Sequence, residues 1–139
     1  GFRVEERNGK EQRGDEERVA GYFFDSYAVI ELLKGNPGYA KYTDEVVRIT
    51  IFNLVEIYWS ALHDVGKEKA DHIYERFREC VVEVPDDVIK DAIIFRKDHK
   101  PRNLSYADCI GYIYATKSAL LFLTGDKEFE DLEHVEFVK

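Results

Sequence analysis

The stretch Gly21-Tyr22-Phe23-Phe24-Asp25-Ser26, running on through the apolar segment that ends at Lys34, decides the fold. Gly21 to Phe24 reads as a buried strand ending at Asp25. Ser26 to Lys34 reads as a helix stopped by Gly35, Asn36, Pro37 and Gly38. The same alternation continues outward. Tyr39 to Glu45 has room for another short helix. Val46 to Thr50 predicts a second strand, followed by a helix with Ile51, Leu54, Val55, Tyr58 and Leu62 on one face. Gly66 interrupts that helix, and Lys67 to Glu79 resumes it. Cys80 to Val84 predicts a third strand halted by Pro85. Asp86 and Asp87 open a helix to Lys97, and Ser105 opens another to Lys117. Ala119 to Thr124 predicts a fourth strand and Val135 to Val138 a short fifth. Strands separated by helices need right-handed crossovers, so the expected fold class is α/β: three α/β/α layers around a mostly parallel sheet of about five strands.

Residues 21–139 hold this pattern and suffice for one domain, since 45% hydrophobic and 14% aromatic content is ordinary for 139 residues. Residues 1–20 are rich in Glu, Arg, Gly and Gln and bury too little to offset their ordering entropy. They read as a disordered charged lead-in, a processed tail or a cloning remnant, with a partner-binding arm as the weaker alternative. A formal net charge of -8 argues against a broad basic face for nucleic acid but leaves room for a local basic rim. Cys80 and Cys109 are too few for a disulfide framework and are expected to be reduced and packed. No apolar run is long enough to span a bilayer and the amino end does not resemble a signal peptide, so a soluble cytoplasmic protein without a membrane partner is expected.

Four acids stand at the edges of apolar segments or inside them: Asp25, Glu56, Asp108 and Asp126. Carboxylates avoid such places unless their charge is compensated, which points to a shared metal site. In an open parallel sheet a site forms beyond the carboxyl ends of the strands, where Asp25 and Asp126 lie and to which Glu56 and Asp108 can converge. Each has a local explanation as well. Asp25 and Asp126 can cap helices, and Asp108 stands three residues after Ser105 at capping-box spacing. Glu56, between Leu54, Val55 and Ile57, is the hardest to explain locally and needs a partner.

The runs Phe23-Phe24-Asp25-Ser26, Thr50-Ile51-Phe52-Asn53-Leu54-Val55-Glu56, Leu104-Ser105-Tyr106-Ala107-Asp108 and Leu123-Thr124-Gly125-Asp126-Lys127-Glu128-Phe129 together resemble the PIN-domain nucleases, and among them the small VapC-type toxins of toxin-antitoxin pairs. The resemblance covers residues 21–139. It implies a Mg²⁺- or Mn²⁺-dependent endoribonuclease that dimerises and is inhibited by a small antitoxin protein. By position, Asp25, Glu56, Asp108 and Asp126 match the acidic quartet. Ser26 matches the hydroxyl residue after the first aspartate and Thr124 the one before the last. Asn53 stands where the family often has Thr or Ser, which puts its role in question.

The donor chemistry agrees with that resemblance, because hard divalent cations take oxygen ligands. Asp25, Asp108 and Asp126 are the expected metal ligands, with Glu56 holding a second ion or orienting the attacking water. Without metal, clustered carboxylates repel and at least one should keep a proton near neutral pH. Arg96, Lys97, Lys100 and Arg102, with His99 among them, and Lys127 are candidate contacts to RNA phosphates, against the plainer reading of solvated helix ends. Tyr106 and Tyr112 can stack bases, although core packing is the commoner use of such residues. His63, His72, His99 and His134 form no convincing pair. Two rivals stay open: a catalytically idle PIN-like scaffold, and a receiver-like phosphoacceptor domain.

Overall fold

The computed structural model describes residues 3–4 and 21–139. Its elements run β1 (Arg3–Val4), β2 (Tyr22–Phe24), α1 (Ser26–Leu33), a 3-10 turn (Pro37–Tyr42), β3 (Val46–Val47), α2 (Ile51–Arg78), α3 (Asp86–Asp98), α4 (Tyr106–Lys117), β4 (Leu121–Thr124), a 3-10 turn (Lys127–Phe129) and β5 (Val135–Phe137). The strands β2, β4 and β5 form a three-stranded parallel sheet in the order β2-β4-β5, with Phe24 opposite Leu123 and Thr124 opposite Phe137. The lead-in expected to be disordered lies outside the described residues except for β1, which pairs in parallel with β3.

Among the described residues the strands group as three and two, rather than in the single sheet of about five strands expected from the sequence. Cys80 to Val84, read as a strand, contributes one parallel bridge, Ile49 to Val81, flanked by the bonds Ile49 N–H to Cys80 carbonyl (3.1 Å) and Val82 N–H to Ile49 carbonyl (2.8 Å). The ladder goes no further: residues 82–85 are irregular and lead to Pro85, the N-cap of α3. The Phe24 N–H bond to the Arg48 carbonyl at 3.0 Å and the Arg48 guanidinium bond to the Tyr22 carbonyl at 3.3 Å tie this margin to β2. The short helix expected over Tyr39 to Glu45 is the 3-10 turn Pro37–Tyr42, started by the Asn36 side chain accepting from the Gly38 amide.

Period-2 alternation in β2 and β4 explains the layering. Phe24 and Leu123 face one core with Ala28, Val29, Leu54, Ile57 and Phe77, from α1 and α2. Phe23 and Phe122 face the other with Val88, Ala92, Cys109 and Ile110, from α3 and α4. Helices therefore cover both faces. The helix α2 is broken at Gly66, whose φ of 85° only glycine adopts without strain, and its second part returns along the first: Tyr58 donates to Asp71 at 2.6 Å and packs edge-on to Tyr74. Cys80 and Cys109 are buried and unpaired, and burial pushes both thiols up to about 11. No helix among the described residues is long and apolar enough to cross a membrane.

Candidate functional site

The parallel register sets the first and last acids side by side. Asp25 follows β2 and its amide bonds the Leu123 carbonyl at 3.1 Å, which brings its carboxyl to Thr124 at the end of β4. Asp126 comes two residues after Thr124, and its amide bonds the Thr124 hydroxyl at 2.9 Å. Between them stands Gly125, where an added Cβ would lie 2.4 Å from Tyr27 Cε1 and 2.5 Å from the Tyr39 hydroxyl. The bare backbone lets two tyrosines close over the strand end.

Glu56 reaches the same place from α2 and Asp108 from the first turn of α4. Glu56, Asp108 and Asp126 line one open cleft of about 630 Å³, together with Ser26, Tyr27, Trp59, Arg96 and Asn103. Asp25 lies behind this lining, 2% exposed. Each local explanation is realised alongside the clustering. The Ala28 amide donates to Asp25 at 2.7 Å, capping α1, and the Glu128 amide donates to Asp126 at 3.0 Å. Ser105 and Asp108 form a full capping box, Ser105 N–H to Asp108 at 2.9 Å and Asp108 N–H to the Ser105 hydroxyl at 3.0 Å. Glu56 has the partner its setting demands, the Ser26 hydroxyl, which donates to Oε1 at 2.5 Å.

Two of the acids, Asp25 and Asp108, are perturbed by burial and by their neighbours' charges. Burial pushes the Asp25 carboxyl up to about 8, against the pull of its bonds to Thr124 and Ala28, and the charges of Asp108 and Asp126 push it further up. Burial raises Asp108 as well, with Asp126 and Glu56 adding to the rise. Burial, more than the crowding of charges, thus makes Asp25 the member of the set most disposed to hold a proton near neutral pH.

An all-oxygen donor set fits a hard divalent cation. Among the described residues, no group of three or more His, Cys, Asp or Glu stands close enough together to hold a metal ion by itself. Mg²⁺ rarely uses all-protein cages, keeping its waters and taking one or two carboxylates plus substrate phosphate. The open arrangement suits that mode.

The basic residues divide. Arg96 lines the cleft, with Nε bonding the Leu104 carbonyl at 2.9 Å and its guanidinium 4.3 Å from the centre of the exposed Tyr106 ring. Arg102 is engaged structurally, bonding the Glu128 carbonyl at 2.6 Å and pairing with Asp131. Lys97, Lys100 and Lys127 are exposed. Tyr112 belongs to the core, bonding the Glu133 carbonyl at 2.7 Å. Sequence reasoning passed over Thr50, Tyr39 and Trp59. The signal for Thr50 was its place as N-cap of α2, three residues before Asn53.

No family model matches the chain, and no curated protein does. Solved structures do match. A Mycobacterium tuberculosis toxin, VapC20, described as cleaving the sarcin-ricin loop, superposes with a TM-score of 0.69 at 19% identity, covering 85% of this chain and 99% of that one. A toxin-antitoxin complex from Klebsiella pneumoniae gives 0.65 at 17% identity, covering 83% and 95%. VapBC2 from Rickettsia felis, bound to a fragment of promoter DNA, gives 0.63 at 12% identity, covering 86% and 99%. The chain has the VapC-type PIN-domain fold.

Proposed function

We propose that the chain is a metal-dependent endoribonuclease and the toxin of a toxin-antitoxin pair. The observation that carries this reading is the convergence of Glu56, Asp108 and Asp126 on one cleft, with Asp25 buried against it and feeling two of their charges. Asp25, Asp108 and Asp126 would hold Mg²⁺ or Mn²⁺, directly or through water, with Glu56 beside them. A bound cation acidifies a water and offsets charge on phosphoryl oxygens. The chain's own part is to hold the carboxylates in place through the Ala28, Ser105 and Glu128 caps and to aim Glu56 through Ser26. Exposed Lys97, Lys100 and Lys127, with Arg96 at the cleft, supply the positive rim for RNA phosphates.

A protein partner is supported by an apolar stripe. Phe52, Val55, Trp59 and Leu62 are all exposed along α2, and Trp59 also lines the acidic cleft. An antitoxin segment with apolar anchors along this stripe and a basic side chain among the acids would match the surface in shape and charge. Exposed Ile93 and Ile94 on α3 are the candidate contacts of a homodimer. A receiver-like domain wants a phosphoacceptor aspartate at the end of a middle strand, and Val84 is followed there by Pro85, which weighs against that rival.

The test is cleavage of a pool of cellular RNAs by purified, partner-free protein with Mg²⁺, Mn²⁺ or chelator, beside Asp25→Asn and Asp108→Asn. Discrete cuts that need metal and vanish in both variants support the reading. A folded, metal-loaded protein that cuts nothing would leave the idle binding module as the better account.

A further inference from the structure

A chain of hydrogen bonds runs from the buried start of α2 to the cleft. The Thr50 amide and hydroxyl both donate to Asn53 Oδ1, at 2.8 and 2.9 Å. Asn53 Nδ2 donates to Ser26 Oγ at 2.9 Å, and Ser26 Oγ donates to Glu56 Oε1 at 2.5 Å. We propose that Asn53 is a positioning residue whose amide sets the direction of this chain, so that Ser26 must present its one proton to Glu56.

The direction follows from elementary donor and acceptor counts. A backbone N–H can only donate, so the Thr50 amide requires the Asn53 carbonyl oxygen on its side and sends the NH₂ toward Ser26. A serine hydroxyl has one proton. With a lone pair of Ser26 occupied by Asn53, that proton is free only for Glu56. Thr50 and Asn53 are 0% and 1% exposed, so water does not compete with these bonds.

The other capping box of the molecule shows what is particular here. In α4 the third helical residue is Asp108; in α2 it is Asn53, and both accept from their cap residue's amide. An aspartate would therefore serve the cap of α2 equally well. Only the second half of the asparagine, the donor facing Ser26, distinguishes them, and that half points along the chain to Glu56. Asn53→Asp keeps the capping box and reverses the chain's far end: Ser26 then has two carboxylates and one proton.

This inference rests on the nuclease reading for its consequence, and the experiment separates the two. Asn53→Asp is compared with wild type for RNA cleavage, while the Asn53 side-chain amide is followed by NMR in metal-free wild type, Ser26→Ala and Glu56→Gln. The expected result is a fall in kcat of about 10- to 100-fold with KM little changed, because Asn53 does not line the cleft. The amide resonance should shift in both Ser26→Ala and Glu56→Gln. Wild-type kcat in Asn53→Asp, or an amide resonance unmoved in Ser26→Ala, overturns the proposal. If Asn53→Asp does not fold, cleavage by Ser26→Ala reads the same break, and an undiminished kcat there overturns it. If wild type cuts no RNA, the nuclease reading falls, and the NMR shifts alone decide for or against the chain.

Discussion

The Ala28 amide donates to Asp25 Oδ1 at 2.7 Å, so the carboxyl that closes β2 also starts α1. One side chain thus serves the fold and the cleft, which makes the protonation of Asp25 a question of stability as well as of chemistry.

The unfolded chain gives up the Asp25 proton near its ordinary 3.8, whereas the native protein keeps it to about 8. Between these values the native state binds more protons than the unfolded one, so stability falls as pH rises through the window. Asp108, also raised, adds in the same direction. Thermal unfolding in chelator should show a midpoint that drops from about pH 5 to pH 8. Asp25→Asn should flatten the slope and melt higher than wild type at the alkaline end. An equal slope in the variant would mean that Asp25 is not the group responsible.

Asp108 permits its two roles to be separated. Asp108→Asn keeps an oxygen for the Ser105 amide, as Asn53 does for Thr50 in α2, so the helix should stay capped while cleavage is lost. Ser105→Ala breaks the cap and should cost about 1 kcal/mol of stability, leaving the carboxylate in place. Denaturant unfolding alongside a cleavage assay distinguishes them. Loss of stability in Asp108→Asn equal to that in Ser105→Ala would show that the amide is no substitute.

Gly125 is a steric prediction. A Cβ there meets the Tyr39 hydroxyl at 2.5 Å, and this hydroxyl is buried with no hydrogen-bond partner. Gly125→Ala should lose about 1–3 kcal/mol through overpacking. Tyr39→Phe removes one of the two obstacles, the Tyr27 ring at 2.4 Å being the other, and also an unsatisfied polar group, so it should raise the melting temperature alone and recover part of the loss in combination. Strictly additive effects in the double variant would place the clash at the Tyr27 ring instead.

Much of this was legible because local pattern and tertiary position agree. The run Phe23-Phe24 alternates between two cores, and the apolar-to-acid transition at Asp25 marks the strand end. The segment Cys80 to Val84 misled because its β-rich composition says nothing of how many partners await it, and it finds one bridge. Asn53 was ambiguous for a similar reason: its meaning lies in Ser26, thirty residues from Glu56 in the chain and adjacent in space. The basic run around Arg102 looked uniform, yet its members divide according to carbonyls on distant turns.

Arg102 bonds the Glu128 carbonyl at 2.6 Å and pairs with Asp131, holding the turn that follows Asp126. Lys100 and Lys127 are exposed, and their charge can go to phosphate. Lys100→Ala and Lys127→Ala should each weaken RNA binding and reduce the slope of log affinity against log salt by about 1, or about 0.7 for single strands, with melting unchanged. Arg102→Ala should instead lower the melting temperature, because it leaves a carbonyl without its charged donor, and should leave the salt slope near the wild-type value. Salt-titrated binding to a catalytically silent Asp108→Asn background, so that RNA survives the measurement, reads both effects. A salt slope that changes in Arg102→Ala and not in the lysine variants would move the RNA path from the exposed rim to the turn after β4.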